Sequence, residues 1–124
     1  MDDERIAIVV DAEPAVLPID IAVPLGMVVN ELVTNAVKYA YPRSRRGVIS
    51  VWFGRVGAAL VLRVTDNGAG LPNESAARLG SLGMNLVQSL VAQVQGDLVT
   101  HPGPGARFEI SLPAPAVQAT SRGA

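Results

Sequence analysis

The chain contains no cysteine, so disulfide frameworks, cysteine-based zinc sites and thiol nucleophiles are excluded. It has a single histidine, His101, which removes histidine-rich metal centres and leaves a Ser-His-Asp triad without support. Positive charge is not in excess: 10 Lys and Arg stand against 11 Asp and Glu, for a formal net charge of −1. That balance argues against a nucleic-acid partner held by phosphate neutralisation. Long unbroken apolar runs are also missing. The richest, Ile19 to Val29, is interrupted by Asp20, Pro24 and Gly26, so no stretch is expected to cross a bilayer or contact one. The opening Met-Asp-Asp-Glu-Arg lacks the basic start of a signal peptide. A soluble fragment in the cytoplasm is the default expectation. The Gly-x-x-x-x-Gly-Lys-Ser/Thr pattern of P-loop proteins does not occur.

What is present suits one globular domain. The 124 residues are 49% hydrophobic and 17% charged, enough apolar surface for one core. Arg5 to Val10 is rich in Ile and Val and reads as a strand. Asp11 to Pro18 reads as a turn region. Asp20 is a candidate N-cap for a long helix, with Pro24 in its first turn and an end near Tyr41, before Pro42. Pro42 to Gly47 is a basic, polar loop. Val48 to Arg55 and Ala58 to Thr65 alternate apolar and polar and form an antiparallel hairpin, with Trp52 packing on the face opposite Ile49 and Phe53.

After Asp66-Asn67-Gly68-Ala69-Gly70-Leu71-Pro72 comes a short polar stretch to Leu79. A second helix opens at Gly80-Ser81-Leu82-Gly83, carries Leu86, Val87, Leu90, Val91 and Val94 as its stripe, and ends at Gly96. Asp97 to His101 and Ala106 to Leu112 are strands around a turn at Pro102 to Gly105. Residues 1–113 form the domain, and Ala114 to Ala124 reads as a disordered tail. Two helices can cover one face of a four- or five-stranded, mixed but mostly antiparallel sheet. The expected fold is therefore a two-layer α/β (α+β) sandwich.

Three places could carry chemistry. On the first helix Val29, Leu32, Val33, Ala36, Val37 and Ala40 make an apolar stripe, and Glu31, Asn35 and Lys38 recur at the same spacing on the other side. That row is either a solvated face or a line of a carboxylate, an amide and an ammonium presented to a ligand. Asn is a poor helix-interior residue, which favours the second reading. Asp66-x-Gly-x-Gly follows a strand directly. Asn67-Gly68 could be a hairpin turn, but Pro72 and the polar run break the alternation a partner strand needs. The alternative is that the glycines let backbone approach a ligand, with Asp66 placed to accept from an exocyclic amine. Gly80-x-x-Gly83 at a helix start is, in principle, an anion site.

Taken together, Asn-Glu-Leu-x-x-Asn-Ala-x-Lys-Tyr, Asp-x-Gly-x-Gly, Leu-Gly-x-x-Leu-Val and Gly-x-x-Phe-x-Ile-x-Leu-Pro resemble the ATP-binding domain of sensor histidine kinases, the Bergerat (GHKL) fold. The likeness runs from about Arg5 to Pro113 and is nearest the short-lid subgroup of bacterial two-component and stress signalling. It implies ATP and Mg²⁺ as ligands. Asn35 and Glu31 would sit at the metal, with Glu31 orienting a water or acting as base. Lys38 would neutralise phosphate charge, Tyr39 would stack near adenine, and Asp66 would accept from the adenine amine. Gly68 and Gly70 would leave room for the nucleotide. Gly80, Gly83 and Met84 would present backbone at the phosphate end. Glu31, Asn35 and Lys38 would be the catalytic set.

Two departures stand out. Ala106 replaces a common Thr, and the segment from Leu71 to Leu79 is short and lacks the family's Phe. The resemblance further implies that the γ-phosphoryl group passes to a histidine on the kinase's own dimerisation domain and thence to a response regulator. No such domain lies within the sequence, and His101 beside Pro102-Gly103-Pro104-Gly105 reads as a surface residue. The chain is thus expected to be the catalytic part of a longer protein, which could itself be membrane-anchored. A stand-alone anti-sigma-type Ser/Thr kinase and an ATP-holding module without transfer are the alternatives.

Overall fold

The computed structural model describes residues 6–39, 46–68, 82–101 and 105–113. Five strands form one sheet: β1 (Ile6–Ala12), β2 (Gly47–Val56), β3 (Ala59–Asp66), β4 (Asp97–His101) and β5 (Arg107–Pro113). Their order is β1-β2-β3-β5-β4; β1 runs parallel to β2 and every other pair is antiparallel. Two helices are described, α1 (Ile19–Tyr39) and α2 (Leu82–Gln93). They pack against each other.

Period-two alternation sorts the strands into two faces. Ile49 and Val51 of β2, Leu60, Leu62 and Val64 of β3, and Phe108, Ile110 and Leu112 of β5 are buried in one cluster with Leu25, Val28, Leu32 and Ala36 of α1. Met84, Val87, Leu90 and Val91 of α2, with Val94 just after it, complete it. The helices therefore cover one face, as the alternation predicts. The open face carries a cross-strand polar row. Arg63 lies over the Trp52 ring, 4.8 Å from its centroid, and its Nε bonds the Glu109 carboxylate. Arg107 and His101 stand 3.6 and 3.7 Å from the same carboxylate. The Arg63 hydrogen bond, with the nearby positive charges, holds the Glu109 carboxyl below its ordinary range, although partial burial opposes this.

Several local expectations are corrected. β1 continues to Ala12, and Gly47 belongs to β2, where it pairs with Ile6. Asp20 is not the N-cap: the helix begins at Ile19, and the Pro18 carbonyl accepts the first bonds, from the Ile21 and Ala22 N–H groups. Pro24 therefore sits inside the helix, beyond its first turn. Having no N–H, it leaves the Asp20 carbonyl without its intrahelical donor.

Residues Ile19–Lys38 also have the length and mean hydropathy, 1.2, of a membrane-crossing helix, contrary to the reading from the broken run. Mean hydropathy tolerates the interruptions. In the fold this is the core helix, with Leu25, Val28, Leu32 and Ala36 buried in the cluster shared with the sheet.

At α2 the stripe excludes Leu86, which is 38% exposed; Met84, fully buried, takes the place assigned to it. The helix ends in a Schellman motif. The Gly96 N–H reaches the Val91 carbonyl at 2.9 Å and the Gln95 N–H reaches Ala92 at 3.0 Å. The left-handed residue is Gln95, φ 59°, not the glycine. Gly96 answers a different need, since a Cβ there would meet Leu112 at 3.0 Å and the Ser111 carbonyl at 3.1 Å. The expected tail after Pro113 and the segment from Leu71 to Leu79 lie outside the described residues.

Candidate nucleotide site

Glu31 and Asn35 are one helical turn apart on α1 and both face the first turn of α2. A Cβ built on Gly83 would lie 2.7 Å from Glu31 Oε2 and 3.5 Å from Asn35 Oδ1. With no side chain on Gly83, the Glu31 carboxylate can lie directly against the first turn of α2. Glu31 is half-buried, and its carboxylate sits at the positive end of the α2 dipole. Asn35 is 5% exposed, so it is not part of a solvated face. Its Nδ2 atom is buried with no hydrogen-bond partner among the described residues. An unmade bond of this kind costs about 1–3 kcal/mol. Lys38 lies in the last turn of α1 and is exposed. Tyr39 closes the helix.

Asp66 ends β3. Counting back by twos gives Val64, Leu62 and Leu60, all buried beneath the helices, so Asp66 belongs to the helix-covered face. Asp66 and Asn35 thus lie on the same side of the sheet. Asp66 Oδ1 accepts from the Gly68 N–H at 3.0 Å and from the Ala106 N–H at 3.2 Å. These two bonds fix the orientation of the carboxylate. Gly68 is buried in this turn. Met84 contributes its side chain to the core, which leaves only its backbone for any ligand. Gly70 and Gly80 lie outside the described residues.

Two residues at the site make contacts that the sequence reading did not foresee. A Cβ at Gly105 would collide with the Asp66 carbonyl, a backbone atom that cannot yield. In the sequence Gly105 ends a turn and opens the Gly-x-x-Phe motif, but neither reading reveals this contact. Asn67 was visible only as a turn former, yet its side chain bonds β2. Neither contact has a local sequence signal, because each joins segments far apart in the chain.

The donor set fits Mg²⁺. That ion takes few protein ligands, prefers oxygen and completes its shell with phosphates and water. Glu31 and Asn35 offer a carboxylate and an amide oxygen beside an unsatisfied buried amide atom.

Residues 20–116 match the family described as histidine kinase-, DNA gyrase B- and HSP90-like ATPase. The chain is 31% identical over 107 residues to a blue-light-activated histidine kinase of Erythrobacter litoralis, covering 84% of this chain and 31% of that one. It is 35% identical over 112 residues to the sensor histidine kinase PdtaS of Mycolicibacterium smegmatis, covering 88% and 22%. It therefore spans about a third or less of these relatives. A solved histidine kinase domain from Erythrobacter litoralis EL346 superposes with a TM-score of 0.80 at 26% identity, over 94% of this chain and 56% of that one. The chain belongs to the histidine kinase-, DNA gyrase B- and HSP90-like ATPase family, as a catalytic ATP-binding domain homologous to those of the sensor histidine kinases.

Proposed function

We propose that this domain binds ATP with Mg²⁺ and donates the γ-phosphoryl group to a histidine on a separate dimerisation domain of its own protein, from which a response regulator is served. The observation that carries this reading is the convergence of Glu31 and Asn35 on the first turn of α2, on the side of the sheet that Asp66 faces. In the transfer, the bond from the γ-phosphorus to ADP breaks and one to an imidazole nitrogen forms. Little covalent work falls to the protein, so positioning and charge neutralisation suffice.

Asp66 accepts from the adenine amine and Tyr39 stacks near the base. Gly68 and Gly70 give the nucleotide room. Lys38 balances phosphate charge, while Gly80, Gly83 and Met84 offer backbone at the phosphate end. Asn35 and Glu31 would hold the Mg²⁺, which supplies charge neutralisation at the phosphates. Glu31 orients the reacting group or accepts a proton. The names of the relatives favour a histidine acceptor over the serine or threonine of an anti-sigma-type kinase, and transfer over simple retention of ATP. The same kinship supports a cytoplasmic site of action in a bacterium, and the net charge of −1 is the argument against a nucleic-acid partner.

The test is ATP titration with and without Mg²⁺. Asp66→Asn should weaken ATP about tenfold or more, and Asn35→Ala should remove the Mg²⁺ dependence. If neither variant changes binding, the assignment is wrong. Acid-labile phosphate on an added dimerisation domain supports histidine as acceptor; acid-stable phosphate points to serine or threonine.

A further inference from the structure

Asp66 and Asn67 leave the sheet by the same device, one on each side of β3. In an antiparallel ladder a hydrogen-bonded pair exchanges two main-chain N–H···O bonds. Towards β5, the Asp66 N–H donates to the Ala106 carbonyl at 3.0 Å, but the return bond from the Ala106 N–H goes to the Asp66 side chain at 3.2 Å. Towards β2, the Asn67 N–H donates to the Val48 carbonyl at 3.3 Å, and the return bond from the Val48 N–H, 2.8 Å long, goes to Asn67 Oδ1. In both pairs a side-chain oxygen stands in for the main-chain carbonyl. The chain can then turn out of the sheet without orphaning an N–H on the neighbouring strand.

The Asp66 half of this device belongs to the site already described; the Asn67 half has no role in it so far. We infer that Asn67 is a positioning residue for recognition of the base. Its side chain clips the exit of β3 to the start of β2 and so sets where the preceding residue, Asp66, presents its carboxylate. The clip requires an acceptor at this reach: Ala has none, whereas Asp keeps the same oxygen. Asn67 is exposed, so its removal leaves no hole in the core.

This inference rests on the proposed adenine role of Asp66, and the test separates the two. ATP and GTP each displace a fluorescent ATP analogue from the full chain with Mg²⁺, in about 0.15 M salt to screen the charge added by Asn67→Asp. Guanine presents a carbonyl where adenine presents its amine, so the ATP-over-GTP ratio reads the Asp66 contact rather than overall folding. Asn67→Ala should weaken ATP about five- to tenfold while GTP stays within about twofold, and Asn67→Asp should hold ATP within about twofold of the unaltered chain.

The inference is overturned if Asn67→Ala binds ATP normally, if it loses ATP and GTP alike, or if Asn67→Asp is as impaired as Asn67→Ala. Asp66→Asn is measured in parallel. If it abolishes the preference while Asn67→Ala does not, only the clip falls. If Asp66→Asn leaves the preference intact, the adenine reading falls and takes the clip with it.

Discussion

Gly83, in the first turn of α2, lies directly against Glu31 of α1: a methyl group on Gly83 would come within 2.7 Å of Glu31 Oε2. The obstacle is the far end of a flexible side chain, so the carboxylate can swing aside at small cost to the fold. Gly83→Ala should therefore change stability by less than about 1 kcal/mol while lowering phosphoryl transfer about tenfold or more. Urea unfolding and a single-turnover assay with an added dimerisation domain measure the two effects. A variant that unfolds easily, or transfers normally, contradicts the placement of Glu31.

Gly105 is the opposite case. Its would-be methyl collides with the Asp66 carbonyl, so β5 and the end of β3 must separate. Gly105→Ala should cost about 1–3 kcal/mol, the range for overpacking against a rigid neighbour, and should weaken ATP along with stability. Thermal unfolding together with ATP titration checks both.

Gln95 holds the left-handed position after α2 at φ 59°, where a side chain is penalised by about 1–2 kcal/mol. Gln95→Gly should raise stability by somewhat less, about 0.5–1 kcal/mol, because glycine gives back part of the gain through the unfolded chain. Nucleotide affinity should not change, since the Schellman turn is at the end of α2 remote from Gly83. Denaturant midpoints at equal m-value provide the measurement.

Glu109 carries the pH dependence. Its folded-state pKa lies below the ordinary value of 4.5, so its contribution is fully present above that pH and is lost as pH falls through the lowered folded value. Glu109→Gln should cost about 1 kcal/mol at neutral pH, discounted for a side chain 20% exposed, and the gap should close as the pH falls below 4.5 and through the lowered folded value. A gap that persists undiminished in acid would assign the effect to packing.

The periodicities of the chain carried much of this protein without reference to tertiary contacts. Alternation in Val48 to Thr65 and Ala106 to Leu112 fixed which residues face the core. The three-and-four spacing from Val29 to Val37 located the buried side of α1 only in part: Leu32 and Ala36 are buried, but so are Val28 and Asn35, while Val29, Val33 and Val37 are half-buried. These patterns are local consequences of how side chains project from a strand or a helix. Glu31, Asn35 and Asp66 were visible as candidates, and their expected roles came from the resemblance of the four motifs taken together.

Only the tertiary structure decided what those residues meet. The burial of Asn35 depends on α2 crossing α1 at Gly83. Gly105 is obligatory because β5 inserts between β3 and β4, bringing it onto the Asp66 carbonyl. Asn67 reads as a turn former until β2 is seen to offer it the Val48 N–H. Even the end of α2 shows the division: the glycine a sequence rule selects is taken up by contact with β5, and its neighbour Gln95 bears the left-handed backbone. Close approach between distant segments sets these roles, and no window of neighbouring residues contains both partners.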